Sequence, residues 1–90
     1  MSPKRRAGLP RIAITVGDPA GIGPEIAIAA AASREVLAVC EPVLYGPHTP
    51  EALAAFPAGL VSAVAGQASY DAVVAAVRDA QAGVVQGIAT

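Results

Sequence analysis

The ninety residues contain few charges, three aromatic rings, and only one cysteine and one histidine. Each scarcity closes off a class of function. Charged residues make up 14% of the chain, against roughly a quarter in ordinary globular proteins. A formal net charge of −1 gives no footprint for nucleic acid or for an anionic membrane. Cys40 has no second cysteine with which to form a disulfide or a metal-ligand pair, so a reduced, cytoplasmic setting is expected. Among Val36, Leu37 and Val39 it reads as a small buried apolar residue and not as a nucleophile. Apolar runs are also too short to cross a bilayer, because Asp18, Glu25 and Arg34 interrupt the candidates. Lys4-Arg5-Arg6 stands before an apolar stretch as in a signal peptide, but Arg11, Asp18 and the prolines break any hydrophobic core of one.

Hydrophobic residues make up 54% of the chain. An alanine-rich coding bias would inflate that figure without adding much core. The preferred reading is that the chain is part of a larger domain, with apolar faces that further chain would cover. Ninety residues allow one small domain at most. Residues 1–10 read as a flexible lead-in, and residues 11–90 as a partial α/β domain cut short at its carboxyl end, since Thr90 falls within an expected strand.

The stretch that organises the chain is Gly17-Asp18-Pro19-Ala20-Gly21-Ile22-Gly23-Pro24-Glu25-Ile26. It follows Ile12-Ala13-Ile14-Thr15-Val16, whose β-branched residues predict a strand. It runs into a helix start at Pro24, where the missing N–H costs nothing and Glu25 suits the positive end of the dipole. Glycines and prolines together predict a shaped loop with backbone N–H groups at a helix start, a place where an anion can dock. Two familiar glycine motifs do not fit. The dinucleotide fingerprint needs G-x-G-x-x-G, whereas these glycines fall as G-x-x-x-G-x-G, and no acid follows Val43-Leu44-Tyr45. A P-loop needs Gly-Lys-Ser/Thr, and the one lysine is Lys4.

Ile14-Thr15-Val16-Gly17 through Glu25 resembles, without a gap, the amino-terminal motif of the 4-hydroxythreonine-4-phosphate dehydrogenase family. Ala80-Gln81-Ala82-Gly83 and Gly87-Ile88-Ala89-Thr90 are similar to that family's later helix end and strand. A shorter relative of the motif opens the isocitrate and isopropylmalate dehydrogenases. The resemblance therefore implies an α/β layered sheet like the amino-terminal part of that fold. It further implies an enzyme dependent on NAD or NADP and assisted by a divalent metal. Such an enzyme oxidises a small phosphorylated hydroxy acid with loss of carbon dioxide on the route to pyridoxal phosphate, as a homodimer when full length. The family's metal histidines, phosphate-binding residues and catalytic lysine lie beyond the matched segment, so no catalytic or metal-ligating residue is assigned here. In that family the strand at Thr90 runs on into Ala-Pro and a lysine, which is the expected continuation.

Cofactor contact is expected at Gly21, Ile22 and Gly23, with Ile22 offering either an apolar surface to a cofactor ring or a plug into the local core. Asp18 is read first as an Asx-type brace of the turn, Glu25 as a helix-start acid, and His48 as a surface residue. Thr15 could point either way along the strand. A non-catalytic anion- or nucleotide-binding fragment, or a family member acting on another hydroxy acid, stays open.

The remaining elements follow from spacing. A helix runs from Pro24 to about Ala32, apolar all round as if packed between neighbours. A further turn over Val36 to Cys40 is ended by Pro42. Val43-Leu44-Tyr45 gives a second strand, and Thr49-Pro50-Glu51 opens a short helix reaching Phe56. Leu60 to Val64 is a weak third strand. Ser69 caps a helix whose core face is Tyr70, Val73, Val74 and Val77, with Asp71, Arg78 and Asp79 turned away. Gly83 ends it, and Val84 to Thr90 is the last strand. The order is βαβαβαβ.

Overall fold

A computed structural model describes residues 8–59 and 62–90. The elements are β1 (Arg11–Thr15), α1 (Gly23–Ala32), α2 (Arg34–Val39), β2 (Glu41–Tyr45), α3 (Pro50–Leu53), α4 (Ala63–Gln81) and β3 (Gly87–Ala89). The strands form one parallel sheet in the order β2-β1-β3. Arg11 pairs with Glu41 and Thr15 with Tyr45 on one side of β1, and Ile12 pairs with Gly87 on the other.

Neighbouring residues on a strand point to opposite faces, and β1 shows what each face meets. Ala13 is fully buried against Ala76 of α4 and Val85. Ile14 lies with Ile26, Ala27 and Ala30 of α1. The sheet is therefore sandwiched, with α4 on one face and α1 on the other. Among the described residues, no helix is long and apolar enough to cross a membrane.

The expected helix start near Pro24 holds to within one residue, with Pro24 in the first turn and Glu25 behind it. Ser33 takes an extended conformation (φ −68°, ψ 131°) that separates α1 from α2. Thr49 caps α3 through its side chain, which accepts from the Ala52 N–H at 3.1 Å, but the helix stops at Leu53, short of Phe56.

Other expectations are corrected. Pro42 does not end a helix ahead of the strand; it sits inside β2, paired with Ile12. β2 is an edge strand, where a residue without an N–H is tolerated. The weak third strand is not formed over Val64, which belongs to α4, while Leu60 and Val61 lie outside the described residues. The cap of α4 is Ser62, whose Oγ accepts from the Ala65 N–H at 3.0 Å, and Ser69 is mid-helix. Val84 and Val85 are not in β3, because both their N–H groups donate to the Asp79 carbonyl in the turn that follows α4.

The face of α4 is the largest correction. Ala65, Ala72 and Ala76 are buried, Ala76 against Ala13 of the sheet, while Tyr70, Val73 and Val77 are exposed. Asp79, expected to face away, is half-buried and accepts a hydrogen bond from the Tyr45 hydroxyl. Alanine lets the helix lie close to the strands, and the gap that remains holds the Tyr45 ring. Similarly, α1 is not packed all round: only Pro24 and Ala27 are buried, and Ile26 stays 59% exposed.

Candidate functional site

β1 leads to β2 on one side, and β3 lies on its other side, so the strand order reverses at the carboxyl end of β1. In parallel α/β sheets this switch point is where ligands bind, because the loops leaving the two strands part there. A cleft of about 310 Å³ occupies this place. Its floor is Ile14 to Gly17 at the end of β1 and Ala89 and Thr90 at the end of β3, and its wall is Gly23, Ile26, Ala27 and Ala30. The lining is apolar apart from two hydroxyls, and the Thr15 Oγ1 donates to the Thr90 Oγ1 at 2.7 Å. That bond joins the ends of β1 and β3 across the cleft floor.

The loop from Gly17 to Gly23 closes over Val16, which is 1% exposed. A Cβ on Gly23 would lie 2.1 Å from the Val16 carbonyl oxygen, so only glycine permits α1 to begin this close to the strand. From the other side, a Cβ on Gly46 would meet the Val16 Cγ2 at 2.6 Å, and Gly46 has φ +107°. Val16 continues the ladder beyond β1 by donating its N–H to the Tyr45 carbonyl at 3.0 Å. Gly21 is different in kind. A Cβ there would meet Asp18 atoms at 3.5 and 3.9 Å, which is ordinary contact.

Asp18 braces the turn, as its Asx reading requires. Its Oδ1 accepts from the Ala20 N–H at 2.8 Å and its carbonyl from the Gly21 N–H at 2.9 Å. Those two amides are therefore spent inside the loop, so an anion would have to use the amides of the helix start. The loop is also tied to the chain behind α3, where the Gly59 N–H donates to the Ala20 carbonyl at 2.8 Å.

The three expected contact residues are spread over different surfaces. Gly23 borders the switch-point cleft. Gly21 borders a second depression of about 420 Å³ with Pro19, Glu25, Leu53 and Phe56. Ile22 stands between them, 70% exposed, so it does not plug the core. Thr15 is 8% exposed, with its hydroxyl turned to Thr90. Ala89 and Thr90 were not singled out by sequence reasoning. The signal that finds them is topological, since strand order, not a local motif, brings residue 90 beside residue 15.

His48 Nδ1 lies 2.8 Å from the Gly46 carbonyl oxygen, which can only accept, so Nδ1 is the donor of that bond. Cys40 is buried, as expected. Among the described residues no three His, Cys, Asp or Glu side chains converge. The donor set on this segment therefore does not fit a metal ion, and no step through one is derived for it.

Away from the cleft, the Tyr45 hydroxyl is pushed up to about 12, first by burial and then by its hydrogen bond to the Asp79 carboxylate. Where the strands begin, the Arg11 Nε lies 3.5 Å from the Glu41 Oε2, and the Arg11 N–H donates to the Gln86 Oε1 at 2.8 Å.

No family model matches the chain. A 4-hydroxythreonine-4-phosphate dehydrogenase of Beijerinckia indica is 36% identical over 113 positions, taking in 88% of this chain and 34% of that protein. The match is longer than the chain itself, so that relative carries on the order of thirty residues with no counterpart here. A protein of Symbiobacterium thermophilum named as a D-threonate 4-phosphate dehydrogenase is 60% identical over 37 residues, 41% of this chain and 11% of its own. The crystal structure of a 4-hydroxythreonine-4-phosphate dehydrogenase from Burkholderia phymatum superposes with a TM-score of 0.77 at 27% identity, covering 89% of this chain and 35% of that one. The chain thus spans about a third of the length of the relatives it matches most fully.

Proposed function

The chain shares its family with the 4-hydroxythreonine-4-phosphate dehydrogenases over a partial segment of their length, and on that premise we propose that it forms one wall of such an enzyme's cleft. The reaction is the oxidation of a small phosphorylated hydroxy acid by NAD or NADP, with decarboxylation where the product is a β-keto acid. The names of the relatives share a four-carbon acid bearing a 4-phosphate, which is the substrate class proposed. The pyridoxal phosphate route is the setting that follows from the 4-hydroxythreonine-4-phosphate relatives.

The observation that carries this reading is the position of the glycine loop at the switch point, beside an apolar cleft. When bound, the nicotinamide cofactor supplies the hydride acceptor. The part of this chain is to hold it. Exposed Ile22 offers an apolar surface to a ring, and Gly21 leaves the loop's outer face open. Gly23 acts indirectly, by setting where α1 starts. The divalent metal of the proposed enzyme would be held by residues beyond this segment, and so would its acid–base groups. The ninety residues therefore bind cofactor but do not turn over by themselves.

Calorimetric titration of the purified chain with NAD and with NADP tests this reading. Saturable binding of one of them is expected, weakened at least tenfold by Ile22→Asp. The same chain with magnesium, cofactor and D-threonate 4-phosphate should reduce no cofactor. Binding of neither cofactor overturns the assigned role of the loop. Turnover by the chain alone overturns the claim that its catalytic set is incomplete.

A further inference from the structure

The second depression, about 420 Å³ in volume, lies between two walls, neither of which includes a strand residue. One wall is the glycine loop and the start of α1, with Pro19, Gly21, Pro24 and Glu25. The other is Leu53 of α3 and Phe56 in the turn behind it. The 2.8 Å bond from the Gly59 N–H to the Ala20 carbonyl ties the walls together. Pockets for small molecules have this size and this make-up, an apolar lining with one aromatic ring and one charged group. The charged group is Glu25, whose carboxylate is exposed and enters no ion pair among the described residues. No lysine or arginine borders the depression among those residues.

We propose that this depression is the subsite for the adenosine half of the cofactor, and that Glu25 makes it select NAD over NADP. The inference rests on the cofactor role of the loop and adds which half of the dinucleotide each side of Ile22 receives. The nicotinamide has to reach the substrate at the carboxyl ends of the strands, which line the cleft and not the depression. The half that does no chemistry is left for the far side of Ile22. A purine is flat, so the Phe56 ring and the prolines can cover its faces and exclude water. Its ribose carries two neighbouring hydroxyls that donate, and a carboxylate with two acceptor oxygens is matched to them. In NADP a phosphate replaces one of those hydroxyl hydrogens and brings negative charge to where Glu25 already has one. With no cation at the depression to offset it, the two repel. The dinucleotide fingerprint takes its acid from the end of the second strand, where this chain has none; here the acid comes from the first turn of α1.

The chain has no tryptophan, so Phe56→Trp puts a single indole in the depression. Its emission should be quenched saturably by NAD and by adenosine monophosphate, and left unchanged by nicotinamide mononucleotide. Calorimetry of the unmodified ninety-residue chain should show NAD binding roughly tenfold tighter than NADP. Glu25→Gln should bring the two dissociation constants to within about threefold of each other, and Glu25→Lys should favour NADP. Glu25 is exposed, and circular dichroism of each variant controls for folding. The calorimetric comparison needs no change at Phe56, so it decides the matter even where Phe56→Trp does not fold. Equal affinity for NAD and NADP overturns the proposal. So does a ratio that ignores Glu25→Gln, or quenching by nicotinamide mononucleotide and not by adenosine monophosphate. The cofactor role of the loop survives any of these results if NAD binds, whereas binding of neither dinucleotide overturns both.

Discussion

Where the strands finish, the chain is shaped by missing side chains. Val16 is boxed between Gly23 and Gly46, the loop amides of Ala20 and Gly21 are spent on Asp18, and a mostly apolar cleft opens beside them. Where the strands begin, polar groups hold the elements together. Arg11 sits against Glu41 and the Gln86 side chain caps the Arg11 N–H, while from the end of β2 the Tyr45 hydroxyl reaches Asp79 in the last turn of α4. The first kind of contact forbids added atoms and is insensitive to pH. The second tolerates changes of shape but depends on protonation. A ligand site benefits from the first kind, because a surface built from backbone keeps its form without offering competing side chains.

That contrast can be broken by substitution, and the largest effect is expected at Gly23. Gly23→Ala puts a methyl group 2.1 Å from a backbone oxygen that cannot swing aside. A loss of about 3 kcal/mol is expected, which for a domain of this size lowers the melting temperature by roughly 12–24 °C. A thermal melt within a few degrees of the unmodified chain would show that α1 can start further from β1.

A smaller effect belongs to the polar contacts. Because the folded Tyr45 hydroxyl is raised from 10.0 to about 12, the unfolded chain releases its proton first as pH rises. Stability should therefore be flat below about pH 10, fall between 10 and 12, and level off above that. Tyr45→Phe should abolish the fall and cost about 1 kcal/mol at neutral pH, by taking the donor from Asp79. Urea unfolding of both proteins from pH 8 to 12 measures this, and parallel curves would remove Tyr45 as the cause.

The smallest effect sharpens the comparison from within the loop. At Gly21 an added methyl group meets only ordinary contacts. Gly21→Ala should thus change stability by less than about 1 kcal/mol, and in the stabilising direction, because it restricts the unfolded chain. A destabilisation as large as that of Gly23→Ala would mean that the loop needs glycine throughout.

The same contrast explains what was legible in the sequence. The loop could be read because glycine, proline and Asp18 act locally, through conformations and bonds spanning two or three residues. The period of α4 was legible and its facing was not. Valine and tyrosine are the larger apolar residues, yet the buried face is Ala65, Ala72 and Ala76, with Ala76 on the sheet, because closeness there outweighs side-chain size. α4 begins ahead of Ser69 and runs through Gly66, at a cost of about 1 kcal/mol, which the cap at Ser62 helps to offset. Thr90 was invisible as a neighbour of Thr15, since only the strand order joins residues so far apart in the chain.

The central place of β1 also bears on how the chain is made. β1 leaves the ribosome early and can pair with β2 once Tyr45 has emerged, but its other edge must wait for Gly87 to Ala89. At roughly 5–20 residues per second, the intervening stretch takes on the order of two to eight seconds to synthesise. Throughout that interval Ile12 to Ile14 present an unpaired edge to whatever else is nearby, which is the exposure that strand-to-strand aggregation exploits. Nascent chains crowded on one message would be most at risk, and a chaperone that engages extended apolar segments would act in that window.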